Sequence, residues 1–163
     1  MFAFLLLATA AYAQTATAEI KNEQGEVAGS AKLSEVPEGV AIDIQVSGLT
    51  PGKHGIHIHE FGKCEGPDFK SSGGHFNPTG KKHGHENPEG PHAGDLGNLE
   101  AGEDGTAKAV LLAQGATLSE GPNSLLKADG SSIMIHAGPD DEITDPAGNS
   151  GARVACGVIV AQS

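Results

Sequence analysis

Seven of the chain's eight histidines fall between residues 54 and 95: His54, His57, His59, His75, His83, His85 and His92, a stretch closed by Asp95. A neutral imidazole presents a ring nitrogen with a free lone pair, which makes histidine the commonest metal ligand. In His57-Ile58-His59, strand alternation places both rings on one face, where they can clamp a single ion. His136 ends a second apolar run, Ile133-Met134-Ile135-His136, and can add a third nitrogen from a neighbouring strand. Three or four imidazoles with one open position suit copper or zinc. His83, His92 and Asp95 can supply two nitrogens and a carboxylate to a tetrahedral zinc site, with His75 as the available fourth ligand. The pattern predicts more than one bound ion.

Other residues around this set have weaker claims. His54 lies three positions before His57, so on a regular strand it faces the opposite side; a structural role, hydrogen-bonding to backbone, is expected. His85 reads as a solvated loop histidine. Asp140 can accept a hydrogen bond from a ligand's second nitrogen, or can be a solvated loop acid. Arg153 and Lys127 are the only arginine or lysine residues after position 108. In so acidic a chain an arginine near a metal attracts a small anion; an ordinary surface arginine is the alternative.

These side chains need rigid elements to position them, and the sequence alternates like a strand protein. Val40, Ile42, Ile44 and Val46 share one face of the clearest strand. Thr17 to Lys21, Val27 to Val36, His54 to Glu60, Leu96 to Glu100, Thr106 to Leu112, Ser132 to His136 and Arg153 to Val160 are the other candidates. Turn sequences such as Asn22-Glu23-Gln24-Gly25 and Pro37-Glu38-Gly39 separate them, and the 24 glycines fit many tight turns. About eight short strands imply a sandwich or barrel. Two long segments, Phe61 to Ala93 and Gly138 to Ala152, break the rhythm, and loops of that length are usually functional.

At 163 residues the chain fits one domain with a sizeable core. Phe2 to Ala10 is nearly all apolar, and Ala11-Tyr12-Ala13 offers a small-x-small cleavage site, so residues 1–13 are expected to be a signal peptide and 14–163 the working domain. The run is too short to cross a bilayer. Export to the periplasm or beyond is therefore expected, with no stable membrane partner. A net charge of −11 argues against nucleic acid. The two cysteines, Cys64 and Cys156, read as one disulfide in an exported protein, with two buried thiols or a pair of metal ligands as alternatives.

Longer strings carry a family pattern: His54-Gly55-Ile56-His57-Ile58-His59-Glu60-Phe61-Gly62, Gly74-His75-Phe76-Asn77-Pro78, Pro91-His92-Ala93-Gly94-Asp95-Leu96-Gly97-Asn98, and Gly151-Ala152-Arg153-Val154-Ala155-Cys156-Gly157-Val158-Ile159. In order and content the chain from residue 16 onward resembles the copper/zinc superoxide dismutases. The resemblance implies an all-β, eight-stranded Greek-key β-barrel, a two-layer immunoglobulin-like architecture with long metal-binding and electrostatic loops. It implies copper on His57, His59, His75 and His136, and zinc on His75, His83, His92 and Asp95, with His75 bridging the two. It implies that Asp140 joins His57 to His83, that Arg153 stands beside the open copper position, and that Cys64 and Cys156 are bonded.

By the same resemblance, Arg153 and His75 are the catalytic residues. Superoxide is guided in by Arg153 and is converted to dioxygen and hydrogen peroxide as copper cycles between Cu(II) and Cu(I), while His75 takes up and returns a proton. Cys64 follows His59 by only five residues, as in bacterial relatives. The segment between His136 and Arg153 contains no lysine, so encounter is expected to fall below the roughly 10⁹ M⁻¹s⁻¹ reached with strong steering. A homodimer is an expectation whose interface the resemblance leaves open. Two other functions compete: a non-catalytic copper or zinc carrier on the same barrel, and a structural β module with a histidine-rich loop. The filled ligand positions and Arg153 favour the enzyme.

Overall fold

The computed structural model describes residues 14–162; the signal peptide expected over residues 1–13 lies outside them. Eight strands follow in order: β1 (Thr15–Asn22), β2 (Val27–Val36), β3 (Gly39–Val46), β4 (Gly52–His59), β5 (Asp95–Ala101), β6 (Ala107–Gln114), β7 (Ser132–His136) and β8 (Arg153–Ala161). Each lies within two residues of the limits that alternation predicts. Among the described residues the helical structure is one 3-10 turn, Lys70–Ser72.

All ladders are antiparallel, in the order β5-β4-β7-β8-β1-β2-β3-β6. The chain leaves β3 for β4 across the molecule and returns from β5 to pair β6 with β3, which is a Greek-key path. The end strands β5 and β6 lie against each other, so the sheet curls into a nearly closed barrel. Val40, Ile42, Ile44 and Val46 are at most 1% exposed. They meet Ile20, Leu33, Ile56, Ile58, Ile133, Ile135 and Ile159 in a single core.

Register decides where the histidines go. β4 pairs Ile56 with Ile135 and Ile58 with Ile133, but His57 with Met134 and His59 with Ser132. Paired residues project to the same side, so the isoleucines enter the barrel and the two histidines stand on its outer wall. The segments Phe61 to Ala93 and Gly138 to Ala152 cover that wall, leaving His57 and His59 fully buried.

A disulfide and a lysine help to fasten the covering loop. Cys64 and Cys156 form a disulfide, packed with Phe69 and Met134, that ties it to β8; the cysteines are neither free thiols nor ligands. Lys127 Nζ donates to the carbonyls of Glu60 and Gly130, just beyond His59. On the far side, the Glu35 carboxylate on β2 accepts from the N–H groups of Leu118 and Ser119, anchoring the loop between β6 and β7.

Candidate metal centre

Four imidazoles converge where β4 and β7 meet the covering loop. His57 and His59 come from β4, His136 from the end of β7, and His75 from the loop, bridged to His59 through backbone. A register shift in the β7–β8 ladder falls between Ile135 and His136 and sets His136 opposite Arg153. One donor atom from each of the four lies within 4.8 Å of the others.

The remaining nitrogens fix the tautomers, because oxygen acceptors require an N–H. His57 Nε2 donates to Asp140 at 2.6 Å, His59 Nδ1 to the Gly73 carbonyl at 2.9 Å, and His136 Nδ1 to the Gly151 carbonyl at 3.0 Å. His75 Nδ1 lies 2.9 Å from Asp95 Oδ1. The opposite nitrogens, His57 Nδ1, His59 Nε2, His136 Nε2 and His75 Nε2, are buried without a protein partner. A buried unpaired polar atom is costly, and four at one place call for a cation. Burial, the largest influence on each ring, pulls the pKa of His57 down to about 3, of His59 to about 2 and of His136 to about 4. Their lone pairs stay available at neutral pH.

A second convergence shares His75. Asp95 Oδ1 lies 2.9 Å from His75 Nδ1, 3.0 Å from His83 Nδ1 and 3.2 Å from His92 Nδ1, and the His75 and His92 nitrogens face each other at 3.3 Å. A tetrahedron with arms of about 2.0–2.1 Å, the zinc–nitrogen distance, has edges of about 3.3–3.4 Å; the two longer separations are close to that and the two shorter ones lie inside it. Its fourth corner is the carboxylate oxygen itself. Asp95 Oδ2 is held by the N–H groups of Gly84 and His92. His57 also comes within reach of this group, but its Nε2 is committed to Asp140, and His92 is the better-placed donor.

Asp140 spans the two convergences, with Oδ2 on His57 Nε2 at 2.6 Å and Oδ1 on His83 Nε2 at 2.9 Å. Burial would raise the pKa of Asp140, but its hydrogen bonds to these histidines and to the Glu142 N–H hold it well below the usual range. Burial likewise pulls His83 down, yet the flanking Asp140 and Asp95 raise it to about 10. Asn98 clamps the Asp140 backbone from both sides, Oδ1 on its N–H and Nδ2 on its carbonyl. Gly148, at φ +63°, roofs the pair; a Cβ there would sit 1.8 Å from Asp140 Oδ1.

Arg153, first residue of β8, reaches across to the loop. Nη1 donates to the Phe69 carbonyl at 2.8 Å and to Ser72 Oγ at 3.0 Å, and Nη2 donates to the Gly73 carbonyl at 2.7 Å. It lines an open depression of about 410 Å³ with Glu23, Pro67, Asp68, Lys70 and Gly151. Lys70 there is paired with Asp68 at 2.8 Å.

His54 lies outside both clusters, its ring nitrogens 2.7 Å from the His136 carbonyl and 2.8 Å from that of Thr50. His85 is at the surface against Glu142. No residue pattern in the sequence marks the roles of Ser72, Asn98 or Gly148. Asn98 alone falls within a family-like string, Pro91 to Asn98 around Asp95.

The copper/zinc superoxide dismutase (SODC) family profile matches residues 27–159. The chain belongs to that family. It is 50% identical over 159 residues to Superoxide dismutase [Cu-Zn] 2 of Aquifex aeolicus, covering 95% of this chain and 93% of that one. A crystal structure of a SOD-like protein from Bacillus subtilis superposes with a TM-score of 0.85 at 42% identity, covering 88% of this chain and 97% of the other. The Cu/Zn superoxide dismutase from Brucella abortus superposes at 0.70 with 32% identity, over 90% and 99% of the two chains. As a family member the chain has copper and zinc as its cofactors, and both donor sets fit them.

Proposed function

We propose that this enzyme dismutates superoxide, with copper held by His57, His59, His75 and His136 and zinc by His75, His83, His92 and Asp95. The observation that carries the reading is the convergence of four buried, unpartnered ring nitrogens beside an arginine fixed at the rim of an open depression. Copper held there would supply a Cu(II)/Cu(I) couple, the one-electron chemistry by which two superoxide ions and two protons become dioxygen and hydrogen peroxide.

The chain's own residues do the rest. The Arg153 guanidinium attracts the anion and orients it. His75 Nε2 takes up a proton in one half of the cycle and returns it in the other. Asp140 and the Gly73 carbonyl hold His57 and His59 in the tautomers that leave their lone pairs inward. Asp95, His83 and His92 hold the redox-inert zinc, and with it the other side of His75.

The disulfide and the bacterial relatives support an exported protein, matured by removal of residues 1–13; pairing of two chains belongs to the same proposal. A second reading, a metal-binding relative without activity, has support in the Bacillus subtilis relative named superoxide dismutase-like protein, 44% identical. Arg153 and the complete donor set favour the enzyme.

Counting ions tests the assignment. One copper and one zinc per chain are expected, with His59→Ala losing copper but keeping zinc and His92→Ala the reverse. Equal loss of both ions from either variant contradicts the division.

A further inference from the structure

Ser72 closes the 3-10 turn Lys70–Ser72 and is completely buried. Its hydroxyl oxygen has three polar neighbours: the Phe69 carbonyl at 2.8 Å, Arg153 Nη1 at 3.0 Å and His59 Nδ1 at 3.1 Å. A hydroxyl has one proton to donate and two lone pairs to accept with. The Phe69 carbonyl can only accept, so the proton goes there. The guanidinium can only donate, so one lone pair goes to Arg153. His59 Nδ1 already needs its hydrogen for the Gly73 carbonyl, and the second lone pair shares that N–H.

We propose that the Ser72 hydroxyl is a positioning residue coupling the anion-guiding Arg153 to the copper ligand His59. The inference rests on the roles proposed above for those two residues. Backbone carbonyls of Phe69 and Gly73 also hold the guanidinium, but the Ser72 oxygen is a single side-chain atom touching both guide and ligand. It is fully used, and no water competes for it at zero exposure. Removing it leaves Nη1 with one acceptor instead of two and leaves the His59 N–H to Gly73 alone. The guanidinium then gains freedom at the place where the anion must dock, and the donor nitrogen of His59 loses part of the support that tunes it.

The test compares the copper- and zinc-loaded protein with its Ser72→Ala variant, using azide as the anion and reading Cu(II) by EPR. The variant is expected to keep both ions while binding azide roughly three- to ten-fold more weakly, the scale of one net hydrogen bond, with a shifted Cu(II) spectrum. In an Arg153→Ala background the same change should cost little further azide affinity, because the hydroxyl acts through the guanidinium. Unchanged azide affinity in Ser72→Ala overturns the proposal, and so does a full additional loss in the Arg153→Ala background. A wild-type protein that takes up no copper overturns the underlying site assignment instead.

Discussion

Arg153 and His59 donate to the same oxygen: the Gly73 carbonyl lies 2.7 Å from Arg153 Nη2 and 2.9 Å from His59 Nδ1. Gly73 is two residues before His75, the imidazole common to both donor clusters. Arg153, His59 and His75, to which the proposed function gives the roles of anion guide, copper ligand and bridge, therefore hang on one stretch of loop. That stretch is stapled to β8 by Cys64–Cys156, three residues beyond Arg153 on the same strand. Displacing the loop displaces all three together.

Arg153→Ala removes the positive charge at the rim without touching a ligand. Loss of one charge-assisted hydrogen bond to the anion, about 1.5–3 kcal/mol, predicts a fall in kcat/KM of roughly ten- to a hundred-fold. Copper content should be unchanged. Pulse radiolysis with metal analysis on the same sample checks this, and wild-type kinetics would remove Arg153 from the mechanism.

Reducing the disulfide releases the loop from β8. A bond that closes a loop of this length, with partners 92 residues apart, contributes about 4–5 kcal/mol on the chain-entropy view. Urea unfolding with and without reductant should show a large drop in midpoint. Activity should fall as well, because all three acceptors holding Arg153 belong to the freed segment.

Asp140→Asn keeps the shape but removes the charge that joins His57 to His83. Such partners of metal-ligating histidines typically contribute ten- to a hundred-fold in affinity. The prediction is weaker binding of both ions, measured by competition with a chelator. Weakening of one ion alone would deny that Asp140 serves both sites.

Glu35 sets a pH dependence away from the metals. Hydrogen bonds from the Ser119 hydroxyl and N–H, then from the Leu118 N–H, hold its pKa below the ordinary 4.5. A depressed carboxyl stabilises the fold fully above its unfolded-state value, and that stability is lost as pH falls through the folded value. Glu35→Gln should thus be less stable than wild type at pH 7, the gap narrowing as pH falls below that ordinary value. Urea midpoints across this range measure it; a gap independent of pH would contradict it.

Around the depression, Lys70 and Arg153 are matched by Asp68 and Glu23, within a chain of net charge −11. Electrostatic steering should be weak, so added salt should slow the reaction little. Asp68→Asn should raise kcat/KM at low salt by about two-fold. A rate that collapses with salt in the wild type would show a steering field these residues do not make.

Much of this was readable in the chain. Val40 to Val46 shows its buried face by simple alternation, and His57-Ile58-His59 shows two imidazoles on one wall by the same rule. His83, His92 and Asp95 announce a tetrahedral set by residue type. What could not be read depends on where a loop folds back. Ser72 is an unremarkable serine until the Lys70–Ser72 turn brings it under Arg153, 81 residues away. Gly148 is one of many loop glycines until Asp140 closes against it. The shift between Ile135 and His136 arises from strand pairing, which no local pattern reveals. Alternation reports which face is buried; it says nothing of which loop atom will meet it.

The most direct test of the central claim is superoxide decay catalysed by the copper- and zinc-loaded protein, with both ions counted on the same sample. Catalysis proportional to bound copper, lost when copper alone is withdrawn and restored when it is returned, is the predicted result. One copper and one zinc per chain with no catalysed decay would contradict the account and leave a metal-binding protein whose copper is closed to anions.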